Sequence, residues 1–313
     1  MRILLTGAAG YIGKNLLFRL NSLNHKVTAI IHHDPSVIVE NVCYHQGDLT
    51  DRLFIHSLPS DIDVVIHCAA LVKDFGPKQQ FIDVNYKATK YLADYYNDCD
   101  IDQFIFLSHI DYEKNQTFNY YAQTKKMAES YLLNEYEQSS FPVTILRPGN
   151  VFGPGATIWV KKIIHAIQKK RIALIDDGQS TFFHTYIDNL LDAILLSIDN
   201  PKVIGETLNI TDGDNSIVWK KYFSDLAIII NEQPPNKNIS KHLAISVAYM
   251  MMIRYLLLKK DPWITPASVQ LLTAEKEISI KKSKELLYYY PSVNYGTAMN
   301  NIKKWWNNKK SLL

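Results

Sequence analysis

Along the first 150 residues, short apolar runs alternate with longer stretches in which apolar positions recur every three or four residues. The runs RILLT, KVTAII, VCYHQG, DVVIHCA, QFIFLS and FPVTILRP read as strands. Residues 11–23, 78–97 and 119–138 carry the helical period, a loop follows KVTAII, and a short helix follows VCYHQG. Strands taking turns with helices predict an α/β fold built on a doubly wound parallel sheet. Beyond residue 150 the pattern loosens to a helix around 157–169, a short strand RIALI, a helix at 186–198 and a strand ETLNI, with a mixed C-terminal part after them. NEQPPNKN at 231–238 is the clearest loop, and there is no internal repeat or low-complexity linker.

The most hydrophobic segment lies late, in HLAISVAYMMMIRYLLLKKDPW. Its apolar core runs over sixteen residues, Leu243 to Leu258, with Arg254 inside it. That falls short of the about 20 residues needed to span a bilayer. Apolar residues surround the helix instead of forming one stripe, so it must be covered by protein, by an apolar substrate or by a membrane surface. Lys237, Lys241, Lys259 and Lys260 flank it as they would at an anionic interface. The expectation is a wall or lid of a substrate site, with peripheral membrane contact through 242–258 as the alternative. NIKKWWNNKK near the end reads as a terminal helix or a second interfacial anchor.

Composition narrows the function classes. Of 313 residues, 47% are hydrophobic and 21% charged, the profile of a folded globular chain. A formal charge of +3 is too small to imply a nucleic-acid partner. Cys43, Cys68 and Cys99 are odd in number and lack metal-ligand spacing, so neither a disulfide framework nor a metal site is expected, and a reducing cytoplasm fits. MRILLTGAAG enters a strand pattern at once and does not read as a signal peptide.

Two stretches carry candidate chemistry. ILLTGAAGYIGKNL joins the first strand to the first helix through Gly7, Gly10 and Gly13. Glycines there allow a tight turn and let backbone N–H groups approach a pyrophosphate seated on the positive end of the helix that begins near Tyr11. The second stretch is YYAQTKKMAE, residues 120 to 129. Tyr121 and Lys125 stand four apart and share a helix face, whereas Tyr120 has no lysine at that spacing. An ammonium beside a phenol favours the phenolate and suits acid–base catalysis.

Together, Gly-x-x-Gly-x-x-Gly and YAQTKKMAE resemble the extended short-chain dehydrogenase/reductase family, over nearly the whole chain. The C-terminal ISIKKSKELLYYYPSVNYGTAMNNIKKWW is similar to the branch that holds 3β-hydroxysteroid dehydrogenases and dihydroflavonol-reductase-like proteins. The resemblance implies a Rossmann core over 1–155, completed by about 183–211, and a substrate-binding part made of 156–182 and 212–313. It implies a cofactor site of Gly7, Ala9, Gly10, Tyr11, Ile12 and Gly13 in the first turn, with His32, Asp48 and Leu49 beyond the second and third strands. Cys68, Ala69 and Ala70 would line the adenosine ribose. Asn85 supports the central strands, with Ala88 in place of the usual glycine. Pro148, Gly149 and Val151 in LRPGNVFGPG would pass the nicotinamide, and Tyr121 and Lys125 would serve both cofactor and chemistry.

The family's third catalytic partner is a hydroxyl at the end of the fifth strand. FIFLSHIDYE offers two registers: alignment puts His109 there, while counting back from Tyr121 puts Ser108 there. NAD-preferring members carry an acidic residue at the end of the second strand. VTAIIHHDPS has Ile31 at that position, with His32 and His33 beyond to face a 2′-phosphate, so NADP is modestly favoured over NAD, with Asp34 able to swing in against it. The reading is an NAD(P)-dependent dehydrogenase/reductase that interconverts an alcohol and a ketone on a small hydrophobic molecule, sterol-, terpenoid- or flavonoid-like. A nucleotide-sugar epimerase or dehydratase uses the same core and dyad and is the alternative; a dinucleotide-binding scaffold without turnover is the second. A homodimer is compatible with this organisation.

Overall fold

The computed structural model describes residues 1–33, 38–110, 119–275 and 277–310. Eleven strands are described: β1 (Arg2–Thr6), β2 (Lys26–Ile31), β3 (Val42–Gln46), β4 (Val64–His67), β5 (Gln103–Leu107), β6 (Val143–Pro148), β7 (Asn150–Phe152), β8 (Leu174–Ile175), β9 (His184–Tyr186), β10 (Thr207–Ile210) and β11 (Asn238–Ile239). The helices of the first half are α1 (Tyr11–Ser22), α2 (Arg52–His56), α3 (Lys78–Phe81), α4 (Ala88–Asn97) and α5 (Tyr120–Ser139). The second half adds α6 (Ile163–Gln168), α7 (Ile187–Ser197), α8 (Trp219–Ile229), α9 (Lys241–Leu258), α10 (Pro266–Leu272), α11 (Lys281–Leu287) and α12 (Tyr295–Lys310). A π-helical stretch, Ile82–Lys87, joins α3 to α4.

Seven strands form one sheet in the order β10-β6-β5-β4-β1-β2-β3. All six pairings within it are parallel. Alternation along each strand gives the sheet two cores. Ile3, Leu5, Val64, Ile66 and Ile105 face one side, where Leu16, Leu20, Leu190 and Ile194 of α1 and α7 cover them. Leu4, Val65, Phe104 and Phe106 face the other and meet Leu92 and Tyr96 of α4 and Ala128 and Leu132 of α5. The chain winds outward from β1 through β2 to β3, then returns to β4 on the opposite side of β1. That reversal opens a crevice at the carboxyl ends of β1 and β4, where such sheets bind ligands.

The second half departs from the expected pattern in two places. RIALI contributes only Leu174–Ile175, which pairs in parallel with Asn238–Ile239 outside the main sheet. Its partner is short because two prolines, Pro234 and Pro235, precede it and cannot donate to a ladder. The apolar segment forms α9, capped by Ser240 and ended by Lys259 in the left-handed region. It buries Ala244 and Ala248 against Ile175 and Val269, and most of its larger apolar side chains stay exposed. The cover that the sequence demanded is not provided by the described residues.

Candidate active site

The turn between β1 and α1 is packed so closely that only glycine fits. Gly7 sits at φ 68°, and its carbonyl accepts from Gly10 N at 2.9 Å. A methyl group on Gly13 would lie 2.2 Å from the Gly7 carbonyl oxygen, and one on Gly7 would lie 2.7 Å from Ala69 N. The turn is therefore pressed against Cys68 and Ala69 at the end of β4. No side chain caps α1 at Gly10, and Ala9 and Gly10 are exposed. The unpaired N–H groups of a first helical turn are what an anionic pyrophosphate requires. These residues fit a dinucleotide.

From the other side, α5 brings Tyr121 and Lys125 to the same crevice. Asn119 starts the helix by accepting from Ala122 N at 2.9 Å, and Ser140 ends it in the left-handed region. Its inner face buries Ala122, Lys125, Ala128 and Leu132, one every three or four residues. Lys125 is 1% exposed, its Nζ lies 3.8 Å from the centre of the Phe106 ring, and burial lowers its pKa to about 7, against the pull of Glu129 and Cys68. Glu129 is itself engaged by Arg147, whose Nε donates to Oε1 at 2.8 Å. Burial also raises Tyr121, with Glu129 adding to it. Burial thus acts on both groups against the charged forms, opposite in sense to the effect of a Lys125 ammonium on the phenol.

The two candidates for the third partner are placed differently. Ser108 Oγ is buried without a hydrogen-bond partner among the described residues. The His109 ring lies 5.2 Å from the Tyr121 ring, centre to centre. Residues 111–118, between this strand end and α5, lie outside the described residues.

A polar relay that the sequence did not suggest ties cradle to dyad. Asn85, in the π-helical stretch, accepts from Leu71 N at 2.7 Å and donates to Leu71 O and Thr124 Oγ1, both at 3.2 Å. Thr89 gives its hydroxyl proton to Asn85 O, so its oxygen accepts from His67 Nε2 at 2.9 Å. Burial lowers His67 to about 3, leaving a neutral ring whose Nδ1 accepts from Thr6 Oγ1 at 2.7 Å. Thr6 in turn accepts from Ala69 N at 3.2 Å. The crevice floor is thus a fixed chain of donors and acceptors from Ala69 to Thr124, the residue beside Lys125. Thr6, His67 and Thr89 come from three separate segments, and only their common absence of exposure marks them as a set.

Beyond the second and third strands, where the adenosine is expected, Asp48 Oδ1 accepts from Thr50 N at 2.8 Å and Oδ2 lies 3.7 Å from His32 Nε2. Burial pulls Asp48 upward, but Thr50 and His32 together hold it below the usual carboxylate range. His32 Nδ1 and His33 Nε2 are 3.0 Å apart. Ile31 is 5% exposed and part of the core, so its side chain does not present the strand-end position assigned to it from sequence. Asp34 lies outside the described residues. Leu49 packs on the second core, and Tyr11, Ile12 and Val151 pack on the first. Pro148 ends β6, and Gly149 N donates to Ile210 O at 3.1 Å and Thr185 Oγ1 at 2.9 Å. A groove of about 720 Å³ runs along Gln123, Lys126, Met127, Ser130 and Asn134, on the face of α5 opposite Lys125, and is not part of this site.

Residues 3–211 match the model of the NAD dependent epimerase/dehydratase family. The chain belongs to that family. It is an NAD(P)-dependent dehydrogenase/reductase of the extended short-chain type, with the Rossmann-like sheet of its kin. Among curated relatives, the sterol-4-alpha-carboxylate 3-dehydrogenase (decarboxylating) of Saccharomyces cerevisiae is 26% identical over 97% of each chain. The UDP-glucose 4-epimerase of Vibrio cholerae is 25% identical over 92% of this chain and 90% of its own. The UDP-glucuronic acid 4-epimerase of Bacillus cereus, solved with UDP-glucuronic acid and NAD, superposes with a TM-score of 0.75 at 21% identity, over 99% of this chain and 100% of the other.

Proposed function

We propose that this family member oxidises a secondary alcohol, or reduces the matching ketone, on a sterol-like apolar substrate, with Tyr121 as the acid–base group. The observation that carries the reading is that Tyr121 and buried Lys125 share a face of α5, with the Lys125 charge acting on His67 and Cys68 beside the glycine cradle. A bound nicotinamide supplies the acceptor or donor of hydride. In the ketone-to-alcohol direction Tyr121 acts as the acid, the state that its burial favours. In the alcohol-to-ketone direction it must release its proton, and the Lys125 ammonium four residues on is the charge that helps. Ser108 or His109 holds the substrate oxygen: the first has a buried hydroxyl in need of a partner, the second an imidazole next to the Tyr121 ring.

Sterol-like chemistry is supported by the yeast relative, which matches end to end, and by exposed α9 in the C-terminal part. We assign substrate binding to 156–182 and 212–313, and peripheral membrane contact to 242–258. NADP preference is supported by His32 and His33 and by the lack of a strand-end carboxylate among the described residues, while Asp48 near His32 works against it. The epimerase reading keeps the support of the Vibrio relative. Mixing purified protein with NAD or NADP and a panel of 3β-hydroxysterols and UDP-hexoses separates the two. Net growth of nicotinamide absorbance with a sterol is expected; interconversion of UDP-hexoses with no net change in the nicotinamide would refute it.

A further inference from the structure

α9 has an inner face and an outer face. Ala244 and Ala248 close against Ile175 and Val269, and Tyr255, further along the same side, meets Phe75 with ring centres 5.3 Å apart. Leu243, Met250, Ile253 and Leu257 recur every three to seven residues along the opposite side, and each is more than half exposed. Leu256, Leu258 and, just past the helix, Trp263 extend the apolar surface. Single exposed apolar side chains are ordinary, but a contiguous stripe of this kind marks a surface made to be covered.

Charge says what covers it. Between residues 233 and 260 the chain has Lys237, Lys241, Arg254, Lys259 and Lys260 and no acidic side chain. Four of these five cations lie at the two ends of the apolar stripe, where they would meet lipid phosphates while the stripe sinks into the acyl boundary. Trp263 sits where an interfacial tryptophan belongs. By length and composition alone α9 could cross a membrane. Its inner face is packed on its own domain, however, so lipid cannot surround it, and the geometry fits a helix lying flat.

We infer that the outer face of α9 docks in the plane of an anionic lipid bilayer, so that an apolar substrate enters the site from the membrane. This rests on the peripheral membrane contact put forward above. The 71–77 loop joins the inner face of α9 to the site: Phe75 holds Tyr255, and Leu71 is held through both backbone groups by Asn85, which also bonds Thr124 beside Lys125. A membrane-bound α9 thus lies one loop away from the candidate dyad.

The full chain is sedimented with vesicles of phosphatidylcholine alone and with phosphatidylserine added, at low and high salt. Binding to the anionic vesicles at least tenfold stronger than to neutral ones, weakened by salt, is expected. Met250→Glu with Leu257→Glu should abolish it while the circular dichroism and thermal midpoint stay unchanged. Brominated acyl chains should quench Trp263, and the quenching should disappear in Trp263→Phe. Equal pelleting with both vesicle types, binding kept by the double variant, or quenching kept in Trp263→Phe would overturn the docking. A dimer in sedimentation velocity that the double variant dissolves, with no vesicle binding, would show a second copy as the cover and overturn the proposal. None of these readings uses turnover, so vesicle binding by a protein that oxidises no sterol would refute the proposed activity and leave the docking standing.

Discussion

Lys125→Met should make the protein prepared without nicotinamide nucleotide more stable while removing its activity. The lysine is 1% exposed, and burial moves its pKa from 10.5 to about 7. Each factor of ten in proton affinity is worth about 1.4 kcal/mol. Between three and four such factors separate folded from unfolded, so the ammonium costs the folded state at most about 5 kcal/mol. Glu129 and the Phe106 ring already offset part of the desolvation, and a methionine fills the same space without charge. The expected gain is about 1–4 kcal/mol, the range found when buried charges give way to apolar groups. The sign with pH follows from a lowered basic pKa. Below about 7 both states bind the proton and the penalty is full; it shrinks as pH rises and vanishes above 10.5, where neither does. Near pH 9 roughly 2 kcal/mol of the ceiling remains. Urea unfolding of both proteins at pH 6.5, 9 and 10.5 reads the difference directly. A functional lysine held at a cost in stability gives a gap that closes with pH. A variant less stable at pH 6.5 would refute the reasoning and make Lys125 a structural residue.

Tyr121→Phe should lower the rate of hydride transfer by about 10²–10⁴ with cofactor affinity unchanged, since the ring stays and only the hydroxyl is lost; Tyr120→Phe should do little, and full activity in Tyr121→Phe would sink the mechanism. Ser108→Ala and His109→Ala, assayed with the same alcohol, separate the two registers: the residue that holds the substrate oxygen loses rate more than about tenfold, and its neighbour does not. Calorimetry should find NADPH bound more tightly than NADH, and His32→Asp should reverse the order by adding a carboxylate near Asp48. Ile31→Asp, by contrast, would bury a charge in the core and should lower stability by more than about 2 kcal/mol, visible as a fall in the urea midpoint.

How far the sequence spoke depends on how local each feature is. Gly7, Gly10 and Gly13 announce a strand–turn–helix because their whole reason lies within one turn, where a methyl group on Gly13 would meet the Gly7 carbonyl. The Tyr121–Lys125 pair is likewise a matter of one helix face. Ile31 was less readable, because which side a strand's last residue faces changes with a shift of one position, and the core took it. For α9 the periodicity showed that apolar residues go all round, which fixes the need for cover without naming the cover. Burial of Ala244 and Ala248 shows which part its own domain provides.

The relay from Ala69 to Thr124 could not have been read from any one stretch, since its members sit on β1, β4, the π-helical stretch, α4 and α5. Their arrangement argues for one positional role. Each hydroxyl in it has a single proton, and once Thr89 gives its own to Asn85 O the direction of every bond back to Ala69 N is set. A charged His67 would carry a proton on Nδ1 and leave the Thr6 hydroxyl proton without its acceptor. Burial, which keeps this ring neutral, therefore also keeps Thr6 donating to Nδ1. The same neutrality avoids adding a second positive charge beside Lys125, whose field already acts on His67. A buried neutral histidine thus ties Thr6, beside the glycine turn, to Thr89 and the relay that ends at Thr124.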